Sequence, residues 1–486
     1  LYRTQGLIEE ELGINPMTAG EGDNMEYSPG HIQRAQLPEN ASRDAISRRR
    51  FLRLAGTAVA GAALGACTPF QPNPTPESRT EVQLVYQDWR TDWFPPMAQQ
   101  MLEQFHDAHP HIRVFYVPDP EPFADKMLAD FQGGTAPDVF QGCCVHFPTW
   151  AQQGYSLDLR PYVEADLPQE IIDDWNSAQY RSFFLKDGRQ YGLPKYHGAL
   201  ALYYNKDLFD EYGVAYPDET WDHDDYVDAI RRLTHDRNSD GQTDLWGTML
   251  DVSWDRIQVH VNGWGGHLVD PDDPTKCLMG EQEAMAAMEW IRARMWDDRV
   301  MATPLDVQNM STRQSFIEGH VAMVEDGSWA LKDILAGAAF RIGVAPFPAG
   351  PVQRVTLATT DGFGIYAGTK HPAEAWELVK FLISQGYGRA MARASFLQPA
   401  RASLLDDWIA YIREEFPEKT QDMDLAAFAD GHLKGYSVTS EIFANMSEVK
   451  PLTYAAWQEI FYLGEAPVGL MRDVCQQIEA TQQGLQ

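Results

Sequence analysis

The sequence predicts an α/β fold in two domains, and three observations carry that reading. From Glu81 onward, short β-branched runs alternate with stretches of helical periodicity. About 400 residues follow that point, more than a single hydrophobic core usually organises. No internal repeat or low-complexity block interrupts them.

Glu81 to Tyr86 reads as a strand, and Met97 to His109 as a helix stopped by Pro110. Ile112 to Val117 is a second strand. A helix around Phe123 to Gln132, a turn at Gly133-Gly134 and a strand at Asp138 to Gln141 follow, the alternation a parallel sheet requires. Further helices are expected at Asp224 to Thr234, Glu281 to Trp296, Pro372 to Ser384 and Leu470 to Thr481. Strands fit Ala199 to Tyr204, Ala322 to Val324, Arg341 to Ala345 and Gly364 to Ala367. Asn205-Lys206-Asp207 closes a buried strand and caps a helix; Thr220-Trp221-Asp222 and Thr369-Lys370-His371-Pro372 open helices in the same way. These motifs build the fold rather than touch a ligand.

The N-terminal region carries an address. Ser47 to Cys67 reads SRRRFLRLAGTAVAGAALGAC: Arg48 and Arg49 with Phe51 and Leu52 form a twin-arginine head, and Leu54 to Ala66 is a weakly apolar run. That run is shorter than the roughly 20 residues that span a bilayer. Leu64-Gly65-Ala66-Cys67 resembles a lipoprotein cleavage site, with Cys67 acylated. Residues 1–66 are therefore expected to be removed, and the Pro-rich stretch 67–80 to tether a body lying outside the cytoplasm to a membrane by lipid. The stretch before Ser47 is long for a signal, and a start chosen upstream of the true one would account for it.

The net charge of −31 argues against nucleic acid and anionic ligands as partners. Beyond Cys67 there are only Cys143, Cys144, Cys277 and Cys475, which is no disulfide scaffold. One long-range bridge, a vicinal Cys143-Cys144 bridge and buried thiols all fit, with buried thiols the expectation.

Several segments stand in a telling order: GGTAPDVF at Gly133 to Phe140, YGLP at Tyr191 to Pro194, LYYNKDLFDEYGV at Leu202 to Val214 and TWDHDDYVDAIRRLT at Thr220 to Thr234. They continue with FIEGHVAMVEDGSW at Phe316 to Trp329, GVAPFPAGP at Gly343 to Pro351, DGFGIYAGTKHPAEAWELVKFLIS at Asp361 to Ser384, and QPARASL at Gln398 to Leu404. In this, nearly all of Glu81 to Gln486 resembles the extracellular solute-binding proteins of ABC importers, in the group that includes maltose- and glycerol-phosphate-binding proteins. The resemblance implies a two-lobed, type II periplasmic-binding-protein-like fold, with three crossovers and a ligand cleft between the lobes. Lobe one would be 81–194 and 360–398, and lobe two 195–359 and 399–486. The crossings fall near Pro194 to Leu202, Leu357 to Gly364 and Leu397 to Ser403. It implies a monomer that captures a sugar or oligosaccharide and hands it to permease subunits.

A sugar offers hydroxyls and apolar faces, so its site needs aromatic platforms and fixed polar groups. Trp329 aligns with a sugar-stacking tryptophan of the maltose-binding relative. Gln87, Asp88, Trp89 and Arg90 follow the first strand, and Gly142 to His146, including Cys143, follow another strand end; both groups are expected at the cleft edge. Asp361 and Gly362 begin the second crossing. His197 lies in the first, to bond ligand or stabilise the hinge. Trp254, Asp255, Tyr454 and Trp457 are further candidates that also fit a core role. Gly198 stands where the relative has a carboxylate, so maltodextrin specificity does not carry over.

Asp236, Asn238, Asp240, Gln242 and Asp244 match the first nine positions of an EF-hand loop, with Gly241 at the turn position, but Gly247 stands where its bidentate Glu belongs. The stretch reads either as a structural calcium loop or as a plain Asx turn; no other cofactor is expected. Gly-x-Ser-x-Gly, HExxH, P-loop and dinucleotide motifs are absent from the sequence, so a binder is expected rather than an enzyme. A carbohydrate-active enzyme using two carboxylates, or a receptor for polyol phosphate, metal or oxyanion on the same fold, are the other readings.

Overall fold

The computed structural model describes residues 81–483. The expected export signal, Cys67 and the expected tether lie outside the described residues.

The chain builds two five-stranded sheets. The first contains β1 (Val82–Asp88), β2 (Ile112–Pro118), β3 (Val139–Gly142), β4 (Leu193–Pro194) and, returning late, β11 (Gly362–Ile365), in the order β2-β1-β3-β11-β4. The second contains β5 (Leu200–Asn205), β6 (Trp246–Met249), β7 (Met301–Ala302), β8 (Val321–Gly327) and β9 (Ile342–Ala345), in the order β7-β6-β8-β5-β9. A small ladder pairs β10 (Thr356–Leu357) with β12 (Ser437–Val438).

The expectation of a parallel sheet is corrected. β1, β2 and β3 are parallel, but β11 runs antiparallel to both β3 and β4, and β5 runs antiparallel to β8 and β9. The antiparallel strands enter or leave a sheet directly from a crossing, with no crossover helix to reverse the chain.

The local reasons are visible in the sequence. In helix Phe94–Ala108 the buried positions are Phe94, Met97, Ala98, Met101, Leu102 and Phe105, the spacing of one apolar stripe. It starts three residues earlier than expected because the first helical turn accepts Pro95 and Pro96. Helix Phe123–Gly133 ends on Gly134 at φ 69°, whose N–H bonds back to Asp130 and Phe131. The Asn205 side chain accepts from Asp207 and Leu208 N–H, and Asp222 forms a capping box with Asp225, so both motifs act as caps. β5 and β8 are buried along their whole length, as strands covered on both faces must be.

Cys277 and Cys475 form a disulfide, which corrects the expectation of buried thiols. Helix Met471–Thr481 packs beside the segment preceding helix Gln282–Trp296, bringing the two Cα atoms to 5.3 Å, within bridging range.

Candidate functional site

Three chain segments pass between the sheets, and they hydrogen-bond to one another. Lys195 N–H donates to the Asp361 carbonyl at 3.0 Å, His197 N–H to Gln398 at 2.9 Å and Thr359 N–H to Gly198 at 2.9 Å. The buried Gln179 amide donates to the carbonyls of both Tyr196 and Thr359, at 2.8 and 2.6 Å, pinning two crossings with one side chain. The carboxyl ends of β1, β2 and β3 and the start of β11 gather at this junction from one side. The carboxyl ends of β6 and β8 and the start of β5 gather from the other. Open α/β sheets present ligand sites at such strand ends.

The lobe-one side holds a buried polar network. The Asp88 carboxylate pairs with the Lys195 ammonium and accepts from the Tyr86 hydroxyl and, at 2.7 Å, from Trp89 N–H. Tyr86 in turn lies 3.2 Å from the Tyr387 hydroxyl, and the ammonium sits 3.0 Å from the centroid of the Trp89 ring. Burial lowers the Lys195 pKa against the pull of Asp88. The Gln87 amide donates to Asp119, whose carboxyl burial and the nearby Asp88 charge raise to about 7.

This corrects the expected cleft edge. Gln87, Asp88 and Trp89 are all buried, and the Asp88 carboxylate and the Gln87 amide nitrogen are taken up by the protein, whereas the Gln87 side-chain carbonyl has no hydrogen-bond partner; Asp88 and Trp89 brace the junction from inside. Arg90 does reach the surface, where it pairs with Glu121 at 2.6 Å. Gly142 is held against Phe147, whose ring a Cβ would meet at 2.5 Å. Cys143 follows it, partly exposed and not joined to Cys144 in a disulfide. Asp361 and Gly362 are buried where the second crossing enters β11. His197 is buried beside His432 at 5.7 Å between ring centroids, neither of its ring nitrogens has a hydrogen-bond partner, and burial lowers its pKa to about 3. Its place is inside the first crossing, where its backbone N–H bonds to the third.

On the lobe-two side, Asp326 at the end of β8 accepts from Arg256 at 3.3 Å, Arg313 at 2.9 Å and Gly327 N–H at 2.7 Å. The Arg256 guanidinium lies 5.7 Å from the Trp329 ring and 3.7 Å from Asp251. Trp254 is a core residue: its indole donates to the Glu441 carbonyl at 2.9 Å, and its backbone N–H to the Tyr454 hydroxyl at 3.1 Å. Tyr454 is half-buried and Trp457 fully buried. Asp255 accepts from the Ser440 hydroxyl.

Trp329 is half-buried and packs against the apolar clusters of both sheets, with Trp89 and Tyr196 among the members on one side and Ala201 and Leu200 among those on the other. A Cβ at Gly198 would lie 3.0 Å from its ring and 2.6 Å from the Thr359 side chain. A side chain there would crowd Thr359 first and the Trp329 ring second, and glycine avoids both.

Lys195, Asp119, Arg256 and Asp251 were not singled out from the sequence. For Lys195 a signal exists: it is one charge in the otherwise apolar run GLPKYHGALAL, and a charge inside a buried run is usually paired.

In the loop proposed for calcium, Asp236 accepts from Asp240 and Gly241 N–H, Asn238 from Asp240 N–H, Asp240 from Gln242 N–H and Asp244 from Arg237. Among the described residues no three His, Cys, Asp or Glu side chains stand together to hold a metal. The Gln242 side chain is exposed.

The galactooligosaccharide-binding protein of Bacillus subtilis is 23% identical over 359 residues, covering 72% of this chain and 80% of its own. Among solved structures, the Listeria monocytogenes ABC substrate-binding protein Lmo0181, in complex with cycloalternan, superposes with a TM-score of 0.70 at 22% identity, over 83% of this chain and 99% of that one. The GacH receptor of Streptomyces glaucescens, solved unliganded and with acarbose, gives 0.64 at 22% identity, over 83% and 98%. These likenesses make the fold two-lobed and type II. Residues 89–389, which take in every strand of the two sheets except β1 and two of the three crossings, match the family described as bacterial extracellular solute-binding protein, and the chain belongs to that family.

Proposed function

We propose that this protein is the substrate-binding component of an ABC importer, capturing an extracellular sugar or oligosaccharide between its lobes and delivering it to the membrane permease. The observation that carries the reading is Trp329: a partly exposed indole at the junction of the crossings, touching both lobes, with a guanidinium and carboxylates beside it. An aromatic face with charged hydrogen-bonding groups around it suits a sugar ring. Cys143, Gly142 and Asp361 at the lobe-one strand ends, and Arg256, Asp251 and Tyr454 across from them, would complete the walls. The ligands of the relatives above, galactooligosaccharide, cycloalternan and acarbose, support a carbohydrate cargo. Twin-arginine export, acylation of Cys67 and action as a monomer form part of the same reading, on the strength of the sequence alone.

Hinge closure on ligand gives the transporter a state to recognise. A thermal-shift screen against mono- and oligosaccharides and polyol phosphates tests the proposal. A sugar that raises the melting temperature with dose, and is recovered unchanged by chromatography, supports it. Cleavage of the sugar would make the protein an enzyme, and a response to polyol phosphates alone would move the cargo out of the sugars.

A further inference from the structure

β3 ends at Gly142 and delivers two adjacent thiols, Cys143 and Cys144, to the sheet end where the crossings meet. Both side chains are partly exposed, and both lie within electrostatic reach of the Tyr196 hydroxyl in the first crossing. The Cys143 carbonyl accepts from Phe147 N–H at 3.2 Å, so the pair leads directly into helix His146–Gln152. Cys144 takes φ 55°, the left-handed region that disfavours a residue with a side chain. The next residue, Val145, is buried in an apolar cluster whose other members belong to lobe two, among them Leu250, Val252 and Trp254. A two-thiol turn on one lobe is therefore one residue away from an anchor in the other.

The family works outside the cytoplasm, where disulfides persist, and the other described cysteine pair is already closed. We propose that Cys143 and Cys144 form a reversible dithiol–disulfide site in the cleft wall, oxidised by small-molecule disulfides, whose closure withdraws Val145 from lobe two. In the first step one cysteine thiolate attacks the small disulfide, forming a mixed disulfide and expelling one small thiolate. The neighbouring thiolate then attacks the protein sulfur of that mixed disulfide and expels the second. One protein S–S bond forms and one small-molecule S–S bond breaks, and the two thiol protons end on the two released thiols. Adjacent Cα atoms stand about 3.8 Å apart, whereas disulfides favour roughly 4.4–6.8 Å. Ring closure must therefore distort the Cys143-Cys144 peptide, and with it the entry to the helix and the seat of Val145. Strained, exposed disulfides of this kind are readily reduced again.

The test uses the full chain, reduced and then incubated with oxidised glutathione, with peptide mapping of the 142–152 segment by mass spectrometry. The expected result is loss of both thiols of that segment as an internal disulfide, no retained glutathione, and full reversal by dithiothreitol. Cys144→Ser should instead keep a glutathione adduct on Cys143. Hydrogen exchange over 250–257 should rise in the oxidised wild type and remain unchanged in Cys144→Ser. A stable glutathione adduct on the wild type, no reaction of either thiol in the folded protein, or closure without any change over 250–257 would each overturn the proposal. An intact Cys277–Cys475 bridge in the same maps confirms that the folded protein was probed.

Discussion

The Lys195 ammonium and the Asp88 carboxylate form an ion pair with no exposed side-chain surface on either partner. The pair joins the first crossing to the end of β1, and the Tyr86 and Tyr387 hydroxyls extend it to helix Gln385–Ser395, which leads into the third crossing. The junction between the sheets is thus fastened by charge as well as by backbone hydrogen bonds.

Removing one partner leaves the other buried and uncompensated. Lys195→Met is expected to destabilise the fold by about 3–5 kcal/mol, and Asp88→Asn together with Lys195→Met to recover a good part of that loss. Urea unfolding of the two single variants and the double variant measures the coupling.

The Cys277–Cys475 bridge spans 198 residues of sequence. Replacing both cysteines by alanine should cost about 2–5 kcal/mol, with the loss concentrated in the helices around it. Thermal unfolding with and without reductant checks this, because reductant should lower the wild-type melting temperature and leave the variant unchanged.

Trp329 and Trp89 should separate cleanly. Trp329→Ala is expected to weaken sugar binding by about 1–3 kcal/mol. Trp89→Ala is expected to lower the melting temperature, since the indole lies under Lys195 and against Phe94 and Tyr196 rather than in the open. Calorimetric titration alongside thermal unfolding of both variants tells the roles apart.

Burial lowers the His197 pKa to about 3 and that of His223, which is stacked on Trp290 and tilted against Trp264, to about 2. Unfolded histidine takes up its proton near pH 6.5. Between about pH 6.5 and 3 the unfolded chain therefore binds more protons at these sites, and stability falls as pH falls. Asp119, raised to about 7, acts in the opposite direction between its unfolded value near 4 and 7, where its contribution is lost as pH rises. Asp88 and Asp424, whose carboxyls burial also raises, act with Asp119, so the loss that the two histidines contribute on acidification from 6 to 4 is opposed in part. Denaturant unfolding across that range checks the sign, and His223→Phe should flatten the slope.

What could be read in the sequence was local. The apolar stripe of helix Phe94–Ala108 and the caps at Asn205 and Asp222 are fixed by neighbours a few residues away; both caps are where their spacing placed them, and the helix starts three residues early. Strand ends were legible too. The direction in which a strand-end side chain points was not. Asp88 meets Lys195 across 107 residues and Cys277 meets Cys475 across 198, partnerships that only the tertiary fold creates. The four residues Gly-Phe-Gly-Ile of β11 likewise carry no mark of running antiparallel, because direction is set by where the crossing enters the sheet. The place of Trp329 just past the end of β8 was legible through its motif. Arg256 was not, since in helix Trp254–Gly263 it occupies an ordinary polar position, and its place beside Trp329 depends on how that helix meets β8.

The central claim is that the junction around Trp329 holds a sugar without altering it. The most direct measurement is calorimetric titration of the wild type and of Trp329→Ala with an oligosaccharide that raises the melting temperature, with the sugar analysed by chromatography afterwards. The account predicts one saturable site, at least several-fold weaker binding in the variant, and unchanged sugar. Equal affinity in the two proteins, or a shortened sugar, would contradict it.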